Sequence, residues 1–229
     1  MWTLGIDTAT LQGGVALTRD ARVVERIDFE HGMIHGRDLI PAIQEICNRR
    51  GLSIRELQLV AVDIGPGSYT GLRVGLATAK GLCRFAGLPI IGVCSLDAMS
   101  DDYVAGHSSL SPSTLLCPAL DAKWNQIYYA YYKGGIRQEG PFADPPGALR
   151  SRELHPLAFG DALLAFPEPL IRIGATLDPD PKHLRPTASA VALRGALDYS
   201  SGRRDTVLGL EPLYLRPTEA EMKLQPRRG

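Results

Sequence analysis

A glycine loop, two acids and a histidine pair are the residues whose types and spacing suit chemistry. The segment Gly65-Pro66-Gly67-Ser68-Tyr69-Thr70-Gly71 follows an apolar run, Leu59 to Ile64, and precedes a helix predicted over Leu72 to Phe85. A strand that turns through glycines into a helix aims free backbone N–H groups beyond the turn, which suits a phosphate or another anion. The same glycines also make a tight structural turn, and their spacing matches neither the Walker loop nor the dinucleotide fingerprint. Asp7 closes the first apolar run of the chain, and Asp121 closes a similar run later. Should those runs lie in matching halves, the two acids face each other across a cleft and could hold a metal-phosphate; as turn-formers they need no such role. Asp7, Gly65, Gly67, Ser68 and Asp121 are thus the candidate anion-binding set. His31 and His35 have the i, i+4 spacing that brings two imidazoles to one metal. Gly32 weakens the helix they would need and no acid stands between them, so solvent-facing or capping histidines are expected. No G-x-S-x-G, no local Cys–His signature and no acid-rich metal cluster is present.

The elements that position these residues follow from periodicity. Trp2 to Ile6, Gly13 to Thr18 and Arg22 to Phe29 read as three strands of an antiparallel meander. A helix is predicted from Ile34 to Arg50, with Leu39, Ile40, Ile43, Ile46 and Cys47 on one face; Pro41 fits its first turn and kinks it further in. Ser53 to Glu56 forms a capping box that starts a short helix, and Leu59 to Ile64 is a buried strand interrupted only by Asp63. The helix of residues 72–85 ends at Gly87; a strand over Pro89 to Val93 and a helix over Ser95 to Val104 follow. Gly71, Gly75, Ala79 and Gly81 lie along one short segment beside Leu72, Leu76 and Leu82. Each interior glycine costs roughly 1 kcal/mol relative to alanine. Close backbone approach offsets that cost, either inside the core or against another chain.

Gly106 to Ser113 is a small, polar linker, after which the opening pattern returns. An ungapped offset of 114 sets Asp7 on Asp121, Gly14 on Tyr128 and the Asp20-Ala21 turn on Gly134-Gly135. Strand, acid, strand, turn and strand recur in one register, which implies a duplicated meander and two related α/β halves, residues 1–105 and 106–229. Nine prolines between residues 141 and 190 break the second half into short elements, including Ala162 to Phe166, Leu170 to Ile173 and Ala188 to Tyr199. The chain has 229 residues with 25 basic against 25 acidic, so a broad basic surface for nucleic acid is excluded as its main feature. Cys47, Cys83, Cys94 and Cys117 lack metal or disulfide spacing, and no apolar run is long enough to span a membrane. With no targeting signal in sight, a cytoplasmic protein is expected.

Residues 65–77, Gly-Pro-Gly-Ser-Tyr-Thr-Gly-Leu-Arg-Val-Gly-Leu-Ala, resemble the G-P-G-S-[FY]-T-G-L-R-[IV]-G signature of the TsaB (YeaZ) family. The likeness extends through Gly5-Ile6-Asp7-Thr8-Ala9, Leu39-Ile40-Pro41, Ala79-Lys80-Gly81-Leu82, residues 89–96, Asp121-Ala122-Lys123 and Pro212-Leu213-Tyr214-Leu215-Arg216. The resemblance implies an actin/Hsp70/sugar-kinase-like (ASKHA) fold of two related lobes, the second reduced. It implies a non-catalytic subunit that binds and activates a TsaD-like paralogue in forming N6-threonylcarbamoyladenosine in tRNA. A TsaE-like ATPase joins that assembly; ATP/ADP and metal belong to the partner subunits, none being intrinsic here, and tRNA is met only through the complex. The family's interface is a bundle of the first two helices of each N-terminal lobe. Mapped here, it comprises Leu39, Ile40 and Ile43 with Gly71, Leu72, Gly75, Leu76 and Ala79. Alone, the same face is expected to form a homodimer. His35-Gly36-Arg37-Asp38 replaces the family's usual His-Ser-Glu, which removes the N-cap serine. Two other readings of the fold compete, an ATP-binding kinase or ATPase and a metallopeptidase. The first finds only Ile173-Gly174-Ala175 as an adenosine loop, and the second lacks a water-activating group.

Overall fold

The computed structural model describes residues 1–29, 35–150 and 155–216. The three opening strands are β1 (Trp2–Asp7), β2 (Gly14–Arg19) and β3 (Arg22–Asp28), paired antiparallel as the alternation implies. Next come helix α1 (His35–Asn48), a single 3₁₀ turn at Ile54–Glu56, strand β4 (Leu59–Gly65), helix α2 (Tyr69–Ala86), strand β5 (Ile90–Cys94) and helix α3 (Ser95–Gly106). The short turn is closed by the Ser53 N–H, which donates to the Glu56 carboxylate at 2.7 Å. Pro41 sits beyond the first turn of α1, so that helix gives up an interior hydrogen bond. The second half holds strands β6 (Leu115–Asp121), β7 (Ile127–Lys133), β8 (Ile136–Asp144), β9 (Leu157–Phe159) and β10 (Thr176–Leu177). Its helices are α4 (Ala162–Ala165), α5 (Pro167–Arg172) and α6 (Ala188–Ser200).

The duplication is real. One sheet has the order β3-β2-β1-β4-β5 and the other β8-β7-β6-β9-β10, with antiparallel and parallel pairs at matching places. The ungapped offset, however, fails by one residue. Asp7 pairs with Gly14, but Asp121 pairs with Ile127, so the offset cannot hold for both strands at once. A one-residue slip exchanges the faces of a strand. The exchange falls on β6, where Leu120 faces α3 although Ile6 faces α1 and α2; in β7, Tyr129 and Tyr131 face α4 and α5 as Val15 and Leu17 face α1 and α2, while Tyr128 and Tyr132 face α3. Three of these phenols are satisfied, Tyr129 by Asp144 at 2.7 Å, Tyr131 by the Arg150 carbonyl at 2.5 Å and Tyr132 by Asp97 at 2.6 Å.

Helices α1 and α2 cover one face of the first sheet, packing on Leu4, Ile6, Val60 and Val62. The opposite face is covered from the far end of the chain. Ala190, Val191 and Ala196 of α6 lie on Leu59, Ala61, Ile91 and Val93, and a Cβ on Gly5 would stand 2.2 Å from the Ala188 carbonyl. Conversely, α3 sends Leu96, Met99 and Tyr103 onto Leu116, Leu120, Tyr132 and Phe159 of the second sheet. Each half therefore lends its last helix to the other. A division at 105/106 leaves both sheets short of a helix, because the seam between the halves is made of those two exchanged elements.

Candidate functional site: the glycine loop and the cleft between the sheets

The glycine loop is held by backbone. Ser68 N-caps α2, its hydroxyl accepting from the Gly71 N–H at 3.2 Å, while its own N–H donates to the Ala9 carbonyl at 2.7 Å. The Thr8 hydroxyl donates to the Gly71 carbonyl at 2.8 Å. A Cβ on Gly67 would lie 2.4 Å from the Ala9 oxygen, on Gly71 2.0 Å from the Thr8 oxygen, and on Gly75 2.2 Å from Thr8 Oγ1. Gly65 has a φ of 109°, a left-handed conformation that favours glycine. The glycines are required because the Thr8–Ala9 turn presses on the loop and on the first turns of α2, which is the structural alternative left open by the sequence.

The expected pairing of Asp7 with Asp121 is not formed. Asp7 is 1 % exposed and lies inside the first lobe beside Asp63 of the adjacent strand β4, and Oδ2 of each carboxyl is buried without a hydrogen-bond partner among the described residues. Its Oδ1 accepts from the Ala9 N–H at 2.9 Å. Asp63 Oδ1 accepts from the Gly65 N–H and from the Ser95 hydroxyl, each at 2.7 Å. Burial pushes the Asp63 carboxyl up to about 7, and burial together with the Asp63 charge raises Asp7 well above the usual carboxylate range. Burial thus favours the neutral, protonated form of both carboxyls inside the lobe. Sequence reading registered Asp63 only as an interruption of an apolar run, although a lone acid in such a run is the signal of a buried, paired carboxyl. Asp121 instead meets its own neighbour, Lys123 Nζ, at 2.6 Å, and its backbone N–H donates to Asp161 at 2.8 Å.

A cleft of about 820 Å³ opens between the halves. One wall is Ala9 to Leu11 with residues 67–70; the other is residues 120–124 with Tyr128. Asp161 and Arg185 close the inner end, and Leu213, Tyr214 and Arg216 cross the mouth. Gly67, Ser68 and Asp121 of the predicted set reach this space; Asp7 and Gly65 do not line it. Arg185 is bound to Asp161 at 3.3 Å and to Gln12 of the first lobe, so the cleft is bridged at its base. Of the histidine pair, His31 and the side chain of His35 lie outside the described residues. Among the described residues no three His, Cys, Asp or Glu side chains form a group that could hold a metal ion, and no helix is long and apolar enough to cross a membrane.

Residues 33–144 match the family model described as TsaD, tRNA N6-adenosine threonylcarbamoyltransferase. The chain is 29 % identical, over 98 % of both chains, to the tRNA threonylcarbamoyladenosine biosynthesis protein TsaB of Escherichia coli K12. To the protein of that name in Bacillus subtilis it is 30 % identical over 97 % of both. This chain belongs to the TsaB family. A Pseudomonas aeruginosa crystal structure described as similar to the peptidase YEAZ superposes with a TM-score of 0.80 at 19 % identity, covering 94 % of this chain and 99 % of that one. An Arthrobacter polyphosphate/ATP-glucomannokinase matches at a TM-score of 0.50 and 10 % identity, covering 88 % and 99 %, in keeping with the ASKHA fold.

In this TsaB-family chain the residues mapped to a partner surface mostly face inward. Leu39 and Ile43 of α1, with Gly71, Leu72, Gly75, Leu76 and Ala79 of α2, are buried within their own lobe. Ile40 is the exception, at 51 % exposure. The apolar stripe read from periodicity is the stripe that packs on the sheet, since one helix face supplies the core before any surplus is left for a partner. The outer surface of the two helices is made by Ile40, Pro41 and Gln44 together with Arg73, Ala77 and Gly81.

Proposed function

We infer that this chain is a non-catalytic subunit that binds and activates a TsaD-like transferase in the formation of N6-threonylcarbamoyladenosine in tRNA. The observation that carries the reading is kinship over nearly the whole length, 30 % identity across 97 % of both chains, with a protein named for that biosynthesis. The non-catalytic part is supported by the acids. Asp7 is sealed against Asp63, and Asp121 is neutralised by Lys123, so neither presents a free carboxylate to the cleft.

The partner meets the outer face of α1 and α2. Gly81 supports this placement, because a Cβ there would touch nothing within 4 Å. An interior helical glycine costs roughly 1 kcal/mol, and at Gly81 no contact among the described residues offsets it. A second helix approaching closely over Ala77 and Gly81 would do so. In the absence of the transferase, a second copy of the chain occupies the same face, and a TsaE-like ATPase joins the heteromeric assembly.

The test is sedimentation of the chain with the TsaD-like protein of the same source, beside a reconstituted assay for modified adenosine in tRNA. The wild type is expected to form a heteromeric species. Ala77→Arg with Gly81→Arg is expected to sediment alone, melt within about 3 °C of wild type, and lower modification at least tenfold. A wild-type chain that ignores the transferase, or that turns over ATP by itself, overturns the reading.

A further inference from the structure

The second wall of the cleft carries a feature that folding does not use. Trp124 stands 68 % exposed on the turn between β6 and β7. Lys123, Trp124 and Asn125 are three consecutive non-glycine residues in the left-handed region, with φ of 59°, 53° and 57°. Such a run is unfavourable for L-residues and persists only where surrounding contacts enforce it. Those contacts are present. The Lys123 N–H donates to Asp121 Oδ1 at 2.8 Å, Ala122 N–H to the Gln126 carbonyl at 3.0 Å, and Arg216 Nη1 to the Lys123 carbonyl at 3.2 Å. The turn is thus a rigid mount that holds an indole out at the cleft.

Across the cleft the first lobe offers a second aromatic surface. Tyr69 and Tyr214 stack with ring centroids 4.8 Å apart, and the Arg73 guanidinium lies 4.3 Å from the Tyr69 ring centre while its Nε donates to the Tyr214 hydroxyl at 3.0 Å. Arg216 is anchored at the mouth by a neutral carbonyl, and among the described residues no carboxylate is bonded to it, so its positive charge remains for an anion. Aromatic faces on both walls, a cation at the mouth and hydroxyls between them are the chemistry that receives an unstacked base with its phosphate.

We propose that the cleft takes a base from an unpaired stretch of RNA, stacked on Trp124 and the Tyr69–Tyr214 pair, with an adjacent phosphate at Arg216. This rests on the reading of the chain as part of a tRNA-modifying assembly and adds that the chain touches the RNA itself. With the whole chain at zero net charge, affinity comes from stacking more than from phosphates. The salt dependence is therefore shallow, a slope of about −0.7 in log–log form for one neutralised phosphate.

Fluorescence polarisation of a labelled RNA hairpin with an unpaired loop, titrated with the full chain, tests this. Trp124→Ala is expected to weaken binding about tenfold or more, whereas Trp124→Phe stays within about threefold. Arg216→Ala should reduce the magnitude of the salt slope by about 0.7, and fully paired RNA should bind at least about tenfold more weakly. Melting curves check folding, which an exposed Trp124 leaves intact. Equal binding by wild type and Trp124→Ala, equal binding of paired RNA, no binding by the wild type, or displacement of the hairpin by free AMP at comparable concentration each overturns the proposal. Sedimentation of the same samples with the TsaD-like partner separates this failure from failure of the subunit reading, since partner capture at α1 and α2 does not require the cleft.

Discussion

Gly71→Ala is expected to lower the melting temperature by about 10 °C, corresponding to a loss of roughly 3 kcal/mol. The added Cβ would stand 2.0 Å from the Thr8 carbonyl oxygen, an atom of the backbone that no rotamer change can move aside. The first turn of α2 or the Thr8–Ala9 turn must shift, and with it the Thr8 hydroxyl bond to Gly71 and the Ser68 N–H bond to Ala9. Gly75→Arg acts in the same direction, since its side chain would enter the space of Thr8 Oγ1 at 2.2 Å. Gly81→Ala is the internal control: with open space around the new methyl it should gain roughly 1 kcal/mol from helix propensity. Thermal denaturation of the three variants checks the order. Equal effects at Gly71 and Gly81 would mean that propensity, not the Thr8 contact, governs both sites.

Asp63→Asn is expected to stabilise the protein at pH 8 and to change it little at pH 5. Burial holds the Asp63 carboxyl up to about 7, above its ordinary value of 3.8, and Asp7 is raised by burial and by the Asp63 charge. A group raised in the folded state contributes stability that is fully present below its unfolded pKa and lost as pH rises through the folded one. For Asp63 that loss runs between about pH 4 and pH 7. At pH 5 the native carboxyl is protonated and resembles the amide; at pH 8 a charge is buried facing Asp7, with Asp97 and Asp28 adding repulsion. The amide removes that charge, keeps an oxygen for the Gly65 N–H and the Ser95 hydroxyl, and donates to Asp7. The gain over wild type should therefore grow with pH, reaching about 2–4 kcal/mol at pH 8. Chemical denaturation at pH 5, 6.5 and 8 measures it, and a variant weaker than wild type by the same amount throughout would sink the account of a raised Asp63 carboxyl.

The strands of the first meander, the helices on either side of the glycine loop and the repeat in the second half were legible because each is a local pattern. Alternation, helical spacing and capping residues act over a few neighbours, and Ser68, Gly87 and the Ser53–Glu56 pair do in the structure what their types suggest. The glycine signature could be recognised, but the reason for it could not. It is the approach of the Thr8–Ala9 turn, more than fifty residues earlier in the chain, that leaves no room for a Cβ at Gly67 or Gly71. The same limit hid Asp63 as the partner of Asp7 and made Asp121 seem to be one: strand order, not separation along the chain, decides which carboxyls meet. Trp124 stayed unremarked because exposure and left-handed backbone are properties of a placed turn, not of a residue type.

By itself, then, the sequence determined the elements of the first half and their order, the duplication and the kinship with the TsaB family, all of which rest on residue types at short spacing or on the whole pattern taken together. Only the tertiary structure decided which side of α1 and α2 is surface, that each half lends its last helix to the other, that the β6–β7 register slips by one, and which side chains reach the cleft. The physical reason is that periodicity marks a helix or strand face as apolar without naming what covers it. A sheet takes the nearest complementary face, so the stripe of α2 read as a partner surface was consumed by β1, β4 and α1, and its outer side, with Ala77 and Gly81, was left exposed.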